Sequence, residues 1–160
     1  MINKIIVKPR KFIQNLVIDP VTAMDNWGLI SIFGKLPNEH SVINNVTIAR
    51  LKLSNCRSIS SILFDDLTDK EVASDNWGDH ELFDKEHARK IIFTLDRWNK
   101  HSSIDLVVQC NAGISRSGAV GLFACRYLGL DENKFWKMNK GLMPNYFILG
   151  VLNEVLGKNV

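Results

Sequence analysis

Cysteine is in short supply in this sequence: three residues, Cys56, Cys110 and Cys125, at irregular spacing. So few, and an odd number, make no disulfide framework, and free thiols fit a reducing compartment. Proline is scarce too, with four residues, and no Pro/Gly-rich linker, internal repeat or low-complexity tract divides the chain, so residues 1–160 are read as one domain. Long hydrophobic runs are missing: near the start only Ile5, Ile6 and Val7 precede Lys8 and Pro9, too short for the apolar core of a secretory signal, and nothing later approaches membrane-spanning length. Charge of one sign is lacking as well. A net +3 with no Lys/Arg run excludes the basic stripe of a nucleic-acid binder, while leaving room for an anionic substrate. His40, His80, His87 and His101 stand at no metal-ligand spacing with cysteines or carboxylates, so neither a metal nor a cofactor is expected. The expectation is a soluble, cytoplasmic protein with no membrane and no nucleic-acid partner; its oligomeric state is left open.

What is present is globular: 46% hydrophobic and 23% charged residues, in a chain long enough to bury a core unaided. Short apolar runs at Ile5–Val7, Leu29–Phe33, Ile59–Phe64 and Ile104–Cys110 predict strands. Between Glu81 and Asn99, Ile91, Ile92, Leu95 and Trp98 recur at helical spacing, and Asp79 or His80 would start that helix. Ser117–Leu128 carries no charge before Arg126, the pattern of a helix buried on all sides. Glu132–Asn139 and Pro144–Leu156 complete the set, with Pro144 expected in the first helical turn. The tetrapeptide Asp-Asn-Trp-Gly occurs around Trp27 and again around Trp77, and both copies are read as turns. Strands alternating with helices predict an α/β layered domain with a central, mostly parallel sheet flanked by helices. Ligands of such sheets bind beyond the carboxyl ends of the strands, where the segment between Val108 and Ala119 falls.

That segment reads Gln109-Cys-Asn-Ala-Gly-Ile-Ser-Arg-Ser-Gly118. If the strand ends at Cys110 and a helix begins near Ser117, the backbone between them curls and turns several N–H groups into one hollow. The positive end of the helix dipole stands behind it, an arrangement that attracts a phosphate dianion. Gly113 supplies a position for unusual dihedrals, and Arg116 a planar fork that grips two phosphate oxygens. The same field favours the thiolate of Cys110, which is then a nucleophile without a neighbouring base. Ser117 is placed to hydrogen-bond the sulfur, and the amides of Asn111, Ala112, Gly113, Ile114, Ser115 and Arg116 to hold the phosphoryl group.

Cys-x5-Arg followed by Ser resembles the signature of the cysteine-dependent protein tyrosine and dual-specificity phosphatases, and Asn-Ala-Gly-Ile-Ser-Arg-Ser-Gly is similar to theirs almost residue for residue. The resemblance is clearest over residues 29–156 and includes the strand ending in Phe64-Asp-Asp-Leu and the late Pro144-Asn145. It departs at Gln109, where the family has His. It implies a phosphatase fold, hydrolysis of a phosphomonoester through a phosphocysteine, and a phosphorylated protein or peptide as partner. The family also takes a general-acid Asp from a loop upstream of the cysteine. Asp66 is the first choice here, because Ile62, Phe64 and Asp66 alternate onto one strand face. By spacing alone Asp79 or Asp75 fits better, and Asp65 is a further candidate. The bland reading of Asp65 and Asp66 is a post-strand turn, and of Asp79 a helix cap. Cys125 reads as a packed core thiol and Cys56 as incidental. The rival readings are a phosphate-binding module without turnover, the same chemistry on RNA 5′-phosphates or phosphoinositides, a Cys–His protease and a sulfurtransferase.

Overall fold

The computed structural model describes residues 1–18, 25–35, 43–75, 77–101 and 103–157. Its elements in chain order are β1 (Ile2–Pro9), α1 (Arg10–Ile18), β2 (Trp27–Phe33), α2 (Asn45–Leu53), β3 (Cys56–Leu63), α3 (Asp69–Ala73), α4 (Lys85–His101), β4 (Ile104–Cys110), α5 (Arg116–Tyr127), α6 (Glu132–Met138) and α7 (Tyr146–Val155). The four strands form one sheet in the order β1-β4-β2-β3, and every neighbouring pair is parallel. The expected class, an α/β fold with a parallel sheet flanked by helices, is the one observed.

Alternation along the strands divides the core in two. On one face Ile104, Leu106, Val108 and Cys110 of β4 join Ile30 and Ile32 of β2 under α4, α5 and α7. On the other face Val107, Trp27 and Leu29 pack with Ile13 and Leu16 of α1 and Leu51 of α2. Helix α5 is buried through ten successive residues, Arg116 to Cys125, as its uniformly apolar sequence requires. It can lie directly on β1 because Gly121 has no side chain: a Cβ there would stand 2.8 Å from Val7 Cγ2.

Several expectations are corrected. The helix expected from Asp79 or His80 begins at Lys85 instead, because the Asp84 carboxylate accepts from Glu86 N (2.9 Å) and His87 N (3.0 Å) and so fixes the first turn. Pro144 lies ahead of α7, outside its first turn; Asn145 is the N-cap, accepting from Ile148 N. Trp27 is not in a turn: it opens β2, is fully buried and donates its indole N–H to Ser54 O at 2.7 Å. Three helices were not foreseen. α2 and α3 owe their starts to polar caps, Asn44 and the Thr68/Glu71 capping box, rather than to an apolar period, and α1 follows directly on β1. Among the described residues no helix is long and apolar enough to cross a membrane.

On the side of β1 away from β4, a side chain takes the place of a neighbouring strand. Buried Asn139 accepts from Val7 N (2.7 Å) and donates to Ile5 O (3.0 Å) and Phe135 O (2.9 Å). Removing it orphans buried backbone groups. Asn139→Ala is therefore expected to cost about 2–3 kcal/mol in urea unfolding, with an unchanged m-value.

Candidate functional site

The site grows from the carboxyl end of β4. Cys110 is its last residue and pairs with Pro9 at the end of β1. The chain then turns through Asn111–Ser115 into α5. Gly113 adopts φ +71, and a Cβ at that position would stand 2.4 Å from Pro9 N and 2.6 Å from Lys8 C. Only glycine fits between this loop and the strand end behind it. A bond from Arg10 N to Asn111 O (3.1 Å) ties the same two segments together.

This curvature brings polar groups onto the sulfur. Cys110 Sγ lies 3.0 Å from Ser117 Oγ and accepts from Gly113 N at 3.3 Å. Cys110 belongs to the buried set, with 2% exposure, but its sulfur meets a hydroxyl and an amide. The other two thiols sit differently. Burial pushes the Cys56 thiol up to about 12 and raises that of Cys125 as well, which keeps both protonated near neutrality.

Arg116 is turned inward: it is 3% exposed and donates from Nη1 to Phe64 O at 3.1 Å, which ties the loop to the chain just beyond β3. Ser115 occupies the N-cap position of α5 without a side-chain cap bond. Its hydroxyl is engaged elsewhere, donating to Asp66 Oδ1 at 2.8 Å. The first amides of α5 are thus not claimed by the cap side chain, and helix N-termini are natural anion sites. Ala112 and Ile114 are exposed on the rim.

The four carboxylate candidates separate. Asp66 is exposed and sits against the loop, its Oδ1 held both by Ser115 and by Asn145 Nδ2 at 2.9 Å. Asp65 turns the opposite way: buried, it accepts from Lys35 N (3.0 Å) and Glu81 N (2.7 Å), with His80 Nδ1 at 3.4 Å. It is the internal staple of two connecting segments. Asp75 is exposed in a left-handed turn at φ 51, and Asp79 lies exposed in the turn before His80. Asn145, named in the sequence only as part of the late Pro-Asn pair and given no role there, belongs to the site. Its amide donates to both Asp66 Oδ1 and Leu67 O (2.8 Å), while its carbonyl oxygen caps α7. The Pro-Asn pair ahead of an apolar helical run was the available signal.

Gln109, at the position where the resembled family has His, faces the opposite side of the sheet from Cys110. Its Oε1 accepts from Ser31 Oγ at 2.8 Å, across the register pair of β2 and β4. Both side chains are buried, so this bond braces the strand end from beneath. Among the described residues no group of three or more His, Cys, Asp and Glu is placed to hold a metal ion.

No protein-family model matches the chain, and no curated protein does. A solved structure does match: the crystal structure of Tk-PTP in the active form, with a TM-score of 0.54 at 15% identity, covering 97% of this chain and 91% of that one. The likeness is one of fold. It extends over nearly the whole of both chains.

The three thiols should differ in reactivity. With iodoacetamide at neutral pH under native conditions, Cys110 should be alkylated while Cys56 and Cys125 resist, as peptide mass spectrometry would read. Equal labelling of all three would show that the loop does nothing for its sulfur.

Proposed function

We propose that this protein is a phosphatase that hydrolyses a phosphomonoester through a covalent phosphocysteine on Cys110. The observation that carries the reading is the bond between Ser115 and Asp66. It brings a carboxyl from 49 positions earlier in the chain onto the loop that bears the thiol. A nucleophile and an acid within one small site are what ester cleavage at phosphorus needs. The fold shared with Tk-PTP supports the same reading.

In the proposed reaction the Cys110 thiolate attacks phosphorus and forms the S–P bond as the ester P–O bond breaks. The Asp66 carboxyl gives its proton to the departing oxygen. Arg116 and the amides of Asn111–Arg116 hold the equatorial phosphoryl oxygens, where charge is greatest in the transition state. Water then attacks phosphorus, Asp66 takes up the proton, and the electron pair of the S–P bond returns to sulfur. The Ser117 hydroxyl, 3.0 Å from Sγ, stabilises the departing thiolate. The substrate is a phosphorylated protein or peptide and the setting cytoplasmic; neither metal nor cofactor takes part.

The test is hydrolysis of aryl phosphates. Cys110→Ser should abolish turnover yet keep phosphate binding, and wild-type protein that binds phosphate without turnover would leave only a binding module. Asp66→Asn should lower kcat about 10²-fold on a phenyl ester while affecting an ester with a good leaving group far less. Arg116→Lys should be severe despite keeping the charge, because the planar fork is lost. Full activity in that variant would overturn the scheme.

Asn145 and Ser115 act in this reaction as positioning residues for Asp66. Asn145→Ala should lower kcat on the phenyl ester about tenfold, with little change in KM. In an Asp66→Asn background the same substitution should cost nothing further, since the group it positions is already gone.

A further inference from the structure

Beside the thiol loop lies a groove of about 490 Å³ that holds neither the phosphoryl group nor the nucleophile of the reaction above. Its lining comes from three places: Ser115 at the end of the loop, the Thr68–Lys70 start of α3, and the stretch from Met143 to Phe147 that leads into α7. Two side chains stand out. Met143 and Tyr146 are large and apolar in the main, yet 72% and 74% exposed. Isolated exposed apolar residues need no explanation, but a pair on one groove wall next to a reactive site marks a contact surface. Methionine packs against differently shaped partners, and tyrosine offers a broad face at little entropic cost.

We infer that this groove is a specificity subsite that takes a large apolar side chain of a phosphopeptide substrate, two positions away from the phosphorylated residue. The inference rests on the phosphatase reading of the loop. Three observations lead to it. First, the groove is continuous with the site: Ser115 belongs to both, and Asn145, on the groove wall, also holds Asp66. A peptide whose phosphate occupies the loop has this ground immediately beside it. Second, in an extended peptide side chains i and i+2 project from the same face about 7 Å apart, whereas i+1 points the opposite way. With the phosphorylated side chain directed into the loop, its next neighbour on that face is the one able to enter a groove that begins at Ser115. Third, the chemistry of the wall is mixed in a useful way. Met143, Pro144, Tyr146 and Phe147 supply an apolar side, and the exposed Asp69 and Lys70 add polar groups able to meet a peptide backbone. A hydrocarbon side chain against the apolar residues and its main chain against the polar ones is the arrangement this mixture suits.

Groove and acid also share a support. Ser115 O accepts from Asn145 N at 3.3 Å, so the loop and the groove wall are joined directly as well as through Asp66. Occupancy of the groove therefore bears on the acid's two holders, and a fitting side chain should improve kcat as well as KM.

The experiment uses phosphotyrosine peptides of one length in which a single Leu is moved through positions −2, −1, +1 and +2 of an otherwise Ala/Ser background, with a small aryl phosphate as reference. One of the two peptides with Leu at −2 or +2 should show kcat/KM about tenfold above the Leu-free peptide, and those with Leu at −1 or +1 should not. In Met143→Ser and Tyr146→Ser, both at exposed positions, this preference should fall towards unity. The ratio between peptides is read, so any general loss of activity cancels. A flat preference in wild-type protein that still hydrolyses the aryl phosphate overturns the subsite and leaves the phosphatase reading standing. Failure to hydrolyse the aryl phosphate at all overturns that reading first. Preference for phosphoinositide vesicles over every peptide, lost in the same two variants, would show that the groove rim meets a lipid surface and would overturn the peptide assignment.

Discussion

At one point the backbones of two chain segments come so close that no side chain can be placed between them, and the shape of the whole site follows from it. Gly113 lies against the Lys8–Pro9 peptide with no space for a Cβ, and its positive φ turns the chain back towards the end of β4. That reversal sets the Gly113 amide on Cys110 Sγ and leaves α5 beginning at Arg116, with Ser117 on the sulfur. The loop is a moulding of the strand end behind it. Burial contributes rigidity: β4 is flanked on both sides by parallel strands, and α5 is enclosed over most of its length. Close-packed surroundings of this kind allow few alternative loop shapes.

The second organising element is a pair of adjacent carboxylates with opposite fates. Asp65 enters the interior and satisfies backbone amides from two separate segments, so its charge is compensated where it would otherwise be costly. Asp66 remains at the surface and meets Ser115 and Asn145. With Asp65 anchored, the chain after β3 cannot rotate, and the following carboxyl is delivered to the loop from a fixed base.

How much of this was legible in the sequence depends on distance along the chain. The strand, loop and helix from Ile104 to Tyr127 are contiguous, and their signals are local: a β-branched run, a glycine where the turn needs one, and an apolar stretch without charge. They were read within a residue or so of their bounds. The order of strands was not legible, because parallel pairing is set by crossovers and buried faces rather than by neighbouring residues. The start of α4 was placed too early, since Asp79 and Asp84 look equally good as caps until the backbone shows which one has amides within reach. The turn expected at Trp27 rests on the strong turn formers of Asp-Asn-Trp-Gly. Burial of the indole against Leu29, Leu51 and Val107 outweighed them. The alternation expected to carry Ile62, Phe64 and Asp66 on one strand face is cut short, because β3 ends at Leu63. Asp66 reaches the loop from the connecting chain, exposed while Ile62 and Phe64 are buried. The contacts that hold it, from residues 49 and 79 positions away, leave no trace in local pattern.

Strand β1 has a temporal consequence. Its Val7 amide is satisfied by Asn139, 132 positions further on, and its other side pairs with β4. Contacts so remote are closed late, after the entropy of a long loop has been overcome. Because Lys8 and Pro9 form the wall that shapes the turn at Gly113, Cys110 gains its distinctive surroundings only when both ends of the fold have met. A partly folded chain therefore lacks the hydroxyl and amide contacts on this sulfur, and their formation marks the end of assembly.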